Sequence, residues 1–301
     1  MAPSLQTLIL ILVPPTLQLL RPHQYAKNLL VFAAPGAAGR LDEADIVAST
    51  VLAFVLFCAV SSAGYIVNDI LDADADRLHP TKRNRPIASG AVSVGRAITI
   101  LLLLGTPTVM LSVALGWDFV ASLAGYGAIS VTYSTVLKRI PWVELLAVSA
   151  GFLVRAVGGG TATDTPISGW FLMVVSAGAL LVITGKRLGE LLTLGASSES
   201  RKVLAGYQLF HLRLVAVAAS ACAVGGYAAW AAAEANNRTN DADGSFLLRL
   251  TVVPFALAIG RYFVLSWRGA GETPETLMAR DLLMLVTGVS WVIVYSIGLY
   301  V

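Results

Sequence analysis

The sequence predicts an all-α polytopic membrane protein with about nine transmembrane helices. Three observations predict it. The 301-residue chain is 56% hydrophobic and only 13% charged, whereas a soluble domain carries roughly 25% charge. The apolar residues fall in runs long enough to cross a bilayer, which takes about 20 residues per helix. The basic residues gather in alternate connections between those runs. This composition excludes intrinsic disorder and argues strongly against a soluble enzyme.

The clearest spans are Ile46–Val67, Ala97–Leu115, Val120–Val136, Trp142–Val157, Gly169–Ile183, Leu214–Ala232, Leu247–Leu265 and Leu282–Val301. A ninth is expected around Ala26–Gly39. The stretch Leu5–Leu20 competes with it, but Pro14–Pro15 interrupts that run, which reads as an interfacial helix. It has neither a basic start nor a small-residue cleavage site, so it is not read as a signal peptide. The chain reads as a single transmembrane catalytic domain, 1–301, with motif loops near 68–96 and 186–213.

Charge sets the expected sidedness. The N-terminal stretch and the connections 69–96, 138–139, 186–213 and 261–280 carry nearly all the Lys and Arg, while the opposite side holds Arg40, Arg238 and Arg249. By the positive-inside rule the N-terminus is cytoplasmic, and nine crossings leave the C-terminus outside. Chemistry is therefore expected at the cytoplasmic face of the plasma membrane. The net charge of +3 is too small and too dispersed for a nucleic-acid partner. Cys58 and Cys222 lie in apolar segments, which argues against a disulfide or a thiolate metal site. His23, His79 and His211 have no zinc spacing.

The second span runs into Asn68-Asp69-Ile-Leu-Asp72-Ala-Asp74-Ala-Asp76. If the helix continues, Asn68, Asp72 and Asp76 stack one turn apart, Asp69 sits on a neighbouring edge and Asp74 falls away. Stacked carboxylates repel unless a cation neutralises them. Carboxylates with an amide oxygen are hard ligands suited to Mg²⁺, which keeps positions for water and substrate phosphate. A calcium loop is excluded, because Arg77 stands where the turn needs Gly and Arg83 where a bidentate Glu is needed. Next comes Lys82-Arg83-Asn84-Arg85 between Pro80 and Pro86, a shaped basic loop whose guanidinium groups match phosphate oxygens. Metal-binding face plus cationic loop describes a diphosphate grip.

These residues carry a resemblance. Asn68-Asp69-x-x-Asp72-x-x-x-Asp76 resembles the first aspartate-rich motif of the UbiA-like membrane prenyltransferases. With Arg21-Pro22-His23-Gln24-Tyr25-Ala26-Lys27-Asn28 and Lys82-Arg83-Asn84-Arg85-Pro86, the chain looks like the branch that acts on polyprenyl phosphates. The resemblance implies a nine-helix bundle around a cytoplasm-facing cavity. It implies 5-phosphoribosyl 1-diphosphate as donor and decaprenyl phosphate, or a similar polyprenyl phosphate, as acceptor. The product would feed cell-wall arabinan synthesis. The family's usual second Asp-x-x-x-Asp motif is replaced here by Gly185-Lys186-Arg187-Leu188-Gly189-Glu190. One carboxylate and two cations suit an additional phosphate better than a second all-acid magnesium site.

The expected roles follow. Asn68, Asp72 and Asp76 hold Mg²⁺. Asp69, Asp72 and Asp76 form the catalytic set, with Asp69 orienting ribose hydroxyls or a metal-bound water. Lys27, Arg83, Arg85, Tyr133, Lys138, Lys186, Arg187 and Glu190 bind substrate. Glu144 is expected to bond Lys138 or Arg139, and Arg155 to be paired inside the bundle. The acceptor phosphate attacks ribose C1 from the face opposite the leaving diphosphate, which predicts inversion. The partners are the two substrates and membrane lipid, with a homo-oligomer and downstream epimerase or arabinosyl-pathway enzymes as further candidates. Two alternatives stand beside this reading. One is transfer of a prenyl group from its diphosphate to an aromatic acceptor, which the missing aspartate pair disfavours. The other is an anionic-solute transporter, disfavoured because the charge clusters sit at one face and not at mid-depth.

Overall fold

The computed structural model describes residues 14–194, 203–237 and 242–300, and every regular element among them is helical. The interfacial segment expected at Leu5–Leu20 lies mostly outside the described residues, as do Arg201, Lys202 and Arg238. In chain order the α-helices are α1 (Pro15–Leu20), α2 (Ala33–Ala37), α3 (Ala44–Leu71), α4 (Ala73–Leu78), α5 (Val94–Ser112), α6 (Trp117–Thr135), α7 (Val143–Ala162), α8 (Gly169–Leu194), α9 (Leu209–Asn237), α10 (Ala242–Leu250), α11 (Val252–Trp267), α12 (Pro274–Arg280) and α13 (Leu282–Tyr300). A 3₁₀ segment, Pro22–Phe32, joins α1 to α2.

Seven helical stretches are long and apolar enough to cross a membrane: Ala44–Leu71, Val94–Leu115, Val143–Ala162, Gly169–Thr193, Leu209–Asn237, Asp243–Trp267 and Leu282–Leu299. The protein is an integral membrane protein, and the expected count of nine is approximate. Helix α6 is long enough but carries Asp118 and a Gly-, Ser- and Thr-rich second half, so it is not among the seven. The ninth expected span is a 3₁₀ segment running into the short α2. At about 2 Å and 1.5 Å per residue the pair still reaches roughly 30 Å. The stretch expected as one span at Leu247–Leu265 bends at Thr251, because Pro254 cannot donate to the turn before it.

The chain forms two compact units. Unit 1 comprises Met1–Gly36, Arg40–Thr135 and Val154–Thr165; unit 2 comprises Ala37–Gly39, Val136–Leu153 and Pro166–Val301. In unit 1, α3 is the central element, packing against α1, the 3₁₀ segment, α5 and α6. Phe57 of α3 meets Phe119 edge-on at 5.9 Å, and Tyr126 at 5.5 Å. The 3₁₀ segment is unusually long for its kind. Its backbone lies directly on α7: a Cβ at Gly159 would sit 1.8 Å from the Val31 carbonyl oxygen, so only glycine permits the approach. Asn28, fully buried, pins the same segment. It donates to Cys58 Sγ at 3.2 Å and accepts from Arg155 Nε at 2.7 Å. Arg155 also donates to Tyr126 Oη at 2.6 Å and lies 4.3 Å above that ring. The intramembrane cation is thus paired inside the bundle, with an amide and a phenol.

In unit 2, α8, α9 and α11 surround a core of Leu181, Leu188, Leu212, Ala216 and Tyr262. Gly185 and Gly189 of α8 let it rest on the turn after α11. A Cβ at Gly189 would lie 2.5 Å from the Glu272 nitrogen, and one at Gly271 would lie 2.4 Å from the Gly185 carbonyl oxygen. The replaced motif therefore has one face committed to backbone packing before its charges are considered.

Candidate active site

Helix α3 continues through the acidic stretch and bends only at Asp72, where α4 begins. The i→i−4 ladder survives the bend. The Asp72 amide donates to the Asn68 carbonyl at 2.9 Å, and the Asp76 amide to that of Asp72 at 2.8 Å. Asn68, Asp72 and Asp76 therefore follow one another a turn apart. Asp74 is turned out to solvent, where it pairs with Arg77 at 2.5 Å.

The buried carboxylates of this stretch are Asp69 and Asp76. Two arginines neutralise them. Arg21 Nη2 donates to Asp69 Oδ1 at 2.6 Å, and Arg85 Nη1 donates to the same oxygen at 3.2 Å. The same Arg85 nitrogen donates to Asp76 Oδ2 at 2.7 Å. Arg85 sits on a rigid mount. Ile87 and Val92 after it are buried with Leu19, Ile66, Ala73 and Ala97, and the Val92 amide closes on the Pro86 carbonyl at 2.8 Å. Lys82 and Arg83, by contrast, lie in an exposed 3₁₀ turn. His79 accepts the Thr81 and Lys82 amides at its start, which is a structural role.

Arg21, part of the motif before the first helical segment but without an expected role, is a member of the site through its bond to Asp69. It adopts the left-handed backbone conformation, φ 53° and ψ 56°, which is rare for a residue with a side chain. Its guanidinium lies 4.9 Å from the centre of the Tyr65 ring. The available signal was an arginine placed directly before the proline that opens a helical segment. Lys27 is half-buried on the 3₁₀ segment and donates to Gln24 at 2.7 Å. Tyr133 is half-buried in the last turn of α6.

Among the described residues no three His, Cys, Asp or Glu side chains gather as a cage for a metal ion. Asn68, Asp72 and Asp76 instead offer an amide oxygen and two carboxylates along one helical line. That donor set fits a magnesium ion that completes its shell with water and substrate phosphate. It does not fit a closed all-protein site.

Unit 2 has its own charge cluster. Arg187 on α8 donates to Glu144 Oε2 of α7 at 3.0 Å, its Nε lies 2.6 Å from Glu144 Oε1, and its Nη1 pairs with Glu190. Tyr207 donates to Glu144 Oε1 at 2.8 Å. Burial raises the Tyr207 phenol above its ordinary range, and the adjacent Glu144 charge adds to the shift. Arg187, Glu190 and Glu144 are all buried; Lys186 is half-buried. Arg187 and Glu190, three residues apart on α8, form an ion pair. Glu144, expected on Lys138 or Arg139, is instead the partner of Arg187, 43 residues away in sequence. Lys138 is half-buried in the short turn Leu137–Arg139 that precedes α7.

Comparison with known proteins follows the same lines. The profile of the UbiA prenyltransferase family matches residues 29–187. The chain is 36% identical to the decaprenyl-phosphate phosphoribosyltransferase of Mycolicibacterium smegmatis, over 96% of this chain and 93% of that protein. It is 36% identical to the protein of the same name from Mycobacterium tuberculosis, over 93% of each. A solved structure of a UbiA homologue from Archaeoglobus fulgidus bound to GPP and Mg²⁺ shares the fold, with a TM-score of 0.67 at 18% identity, covering 95% of this chain and 100% of that one.

Proposed function

The chain belongs to the UbiA prenyltransferase family, and we propose that it transfers the 5-phosphoribosyl group of 5-phosphoribosyl 1-diphosphate to a polyprenyl phosphate, decaprenyl phosphate or a close relative, releasing diphosphate. The observation that carries this reading is the similarity over nearly the whole chain to relatives named for that reaction. The site chemistry agrees in kind: hard oxygen donors for a divalent ion beside guanidinium groups for phosphate.

In this reading Asn68, Asp72 and Asp76 hold Mg²⁺, which when bound neutralises charge on the diphosphate as it leaves. Arg85, with Arg83 and Lys27, takes phosphate oxygens. The bond from ribose C1 to the diphosphate oxygen breaks, and its electron pair leaves with the diphosphate. A bond from C1 to an acceptor phosphate oxygen forms on the opposite face, so the configuration at C1 inverts. The nucleophile is already an anion near neutral pH, so no strong general base is needed. The protein's main contribution is to hold two anionic substrates that repel each other in solution. The replaced motif, through its cations, and the pair Tyr133 and Lys138 are assigned to substrate phosphate on sequence pattern. Because two buried carboxylates already engage Arg187, Lys186 is the member of its group given the contact.

The positive-inside bias supports a cytoplasmic position for the motif loops, at the plasma membrane. The test is an assay with donor labelled in the ribose and defined polyprenyl phosphates. The expected product is a lipid whose mass equals the acceptor plus one phosphoribosyl group. Label entering lipid only from a prenyl diphosphate would overturn the reading in favour of prenyl transfer.

A further inference from the structure

We propose that Asp69 is a positioning residue: it gathers Arg21 and Arg85 into one anion-binding pair, and through Arg85 it ties diphosphate binding to the arrival of the divalent cation. The inference rests on the reading above and assigns Asp69 a role other than direct contact with ribose.

Three observations lead to it. First, Asp69 is enclosed. Its side chain is 2% exposed, and the arginines that cover it are 22% and 24% exposed. A substrate meets the arginines before it meets the carboxylate. Second, both arginines converge on a single oxygen, Oδ1, from two separate segments, the residue before the 3₁₀ segment and the basic loop. Two like charges are held close only because that carboxylate sits between them. Each arginine uses one side-chain nitrogen in the network, so the remaining N–H groups of Arg21 and Arg85 make no hydrogen bond to the described residues. Third, Arg85 is shared between two carboxylates: the same nitrogen donates to Asp69 and to Asp76.

That sharing produces the coupling. Arg85 competes with the metal for Asp76, because the charge-assisted bond to Oδ2 at 2.7 Å already draws on the carboxylate's negative charge. Once a divalent ion takes Asp76, two guanidinium groups face one carboxylate. The network then carries an excess positive charge that an anion must balance. Diphosphate supplies it through the N–H groups already available. Cation alone must weaken a charge-assisted hydrogen bond, and anion alone meets arginines already paired with carboxylates.

The experiment measures binding to the full chain in detergent. The probes are Mn²⁺ alone, followed by its spin resonance, and the Mg²⁺–diphosphate complex, followed by calorimetry. Releasing Asp76 with Arg85→Gln is expected to tighten Mn²⁺ at least about tenfold and to weaken the complex by a similar factor. Asp69→Asn is expected to weaken the complex about tenfold and to raise KM for the ribosyl donor while KM for the polyprenyl phosphate stays put. Asp69→Glu is expected to recover most of both. A purely structural Asp69 would instead lower kcat, or shift the KM values of both substrates alike, and would not be rescued selectively. The proposal is overturned if Arg85→Gln leaves Mn²⁺ affinity unchanged, or if a folded Asp69→Asn keeps wild-type affinity for the complex. Should Asp69→Asn fail to fold, the Arg85→Gln result still decides. If the wild-type protein binds the complex without any such linkage, this proposal alone falls. If it binds neither probe, the proposed function falls with it.

Discussion

Each unit of the molecule buries an arginine-centred charge network, and the two differ in the number of arginines per carboxylate. In unit 1, two arginines share two carboxylates, and the arginines remain about a quarter exposed. In unit 2, one arginine sits between two carboxylates, with its side chain 10% exposed and Tyr207 closing on Glu144. The first arrangement has donors left over and a surface from which to reach them, so its partners can be exchanged for a ligand. The second surrounds its cation with acceptors. Breaking it leaves buried carboxylates unpaired, which is the costly direction. On the proposed reading, similar residue types serve recognition in one place and rigidity in the other, and stoichiometry with exposure decides which.

The comparison is sharpened first where the effect is largest. Asp76→Asn or Asp72→Asn is expected to reduce phosphoribosyl transfer by ~10²–10³-fold or more while the thermal unfolding midpoint moves little. Full Mg²⁺-dependent turnover by either variant would remove the metal assignment. The corresponding change in unit 2 is expected to do the reverse. Arg187→Met strands Glu144 and Glu190 and is expected to cost about 3–5 kcal/mol of stability, read from unfolding in detergent. If that variant stays stable but loses donor affinity, the contrast between the networks is wrong and Arg187 binds phosphate after all. Lys186→Gln separates the two cations of the replaced motif. It is expected to raise KM for the ribosyl donor without a comparable loss of stability, and an unchanged KM would reject the role given to Lys186.

Tyr207→Phe removes one donor from Glu144 and leaves the ion pair. A loss of about 1–2 kcal/mol is expected, well below that of Arg187→Met. The smallest effect concerns Asp281, whose carboxyl is held below its ordinary range by hydrogen bonds from the Arg261 guanidinium and the Met284 amide. A carboxylate with a depressed folded-state pKa adds stability above its unfolded pKa, near 4, and loses it as pH falls through the folded value. Asp281→Asn is thus expected to lower the unfolding midpoint slightly at pH 7, and the gap to wild type is expected to close on acidification. A gap that widened at low pH would show that the pair does not act through charge.

The sequence made the long helices legible because a membrane span is written locally, as an unbroken apolar run. α3, α5, α8, α9 and α13 follow from such runs. The same logic misjudged the segment after Pro22. An apolar stretch does not announce that its backbone will lie against Gly159 of another helix, so an α-helical span was expected where a 3₁₀ segment forms. In the site, the spacing of Asn68, Asp72 and Asp76 was readable because i, i+4 is a local rule. Arg187 with Glu190 was readable for the same reason. Glu144 with Arg187, and Arg21 with Asp69, were not, since 43 and 48 residues separate the partners and only the fold brings them together. The left-handed backbone of Arg21 likewise has no signature in composition.

The basic loop after α4 would ordinarily be counted among the mobile parts of such a protein, being polar, short and bracketed by prolines. Ile87 and Val92 reverse that expectation, since they root it in the same apolar cluster that holds the ends of α3 and α5. The amides from Ile87 to Val92 should exchange with solvent deuterium more slowly than those of the exposed turn at Lys82 and Arg83. Arg85 would then be delivered ready-made to an incoming anion, with the entropic cost of ordering it already met when the chain folds.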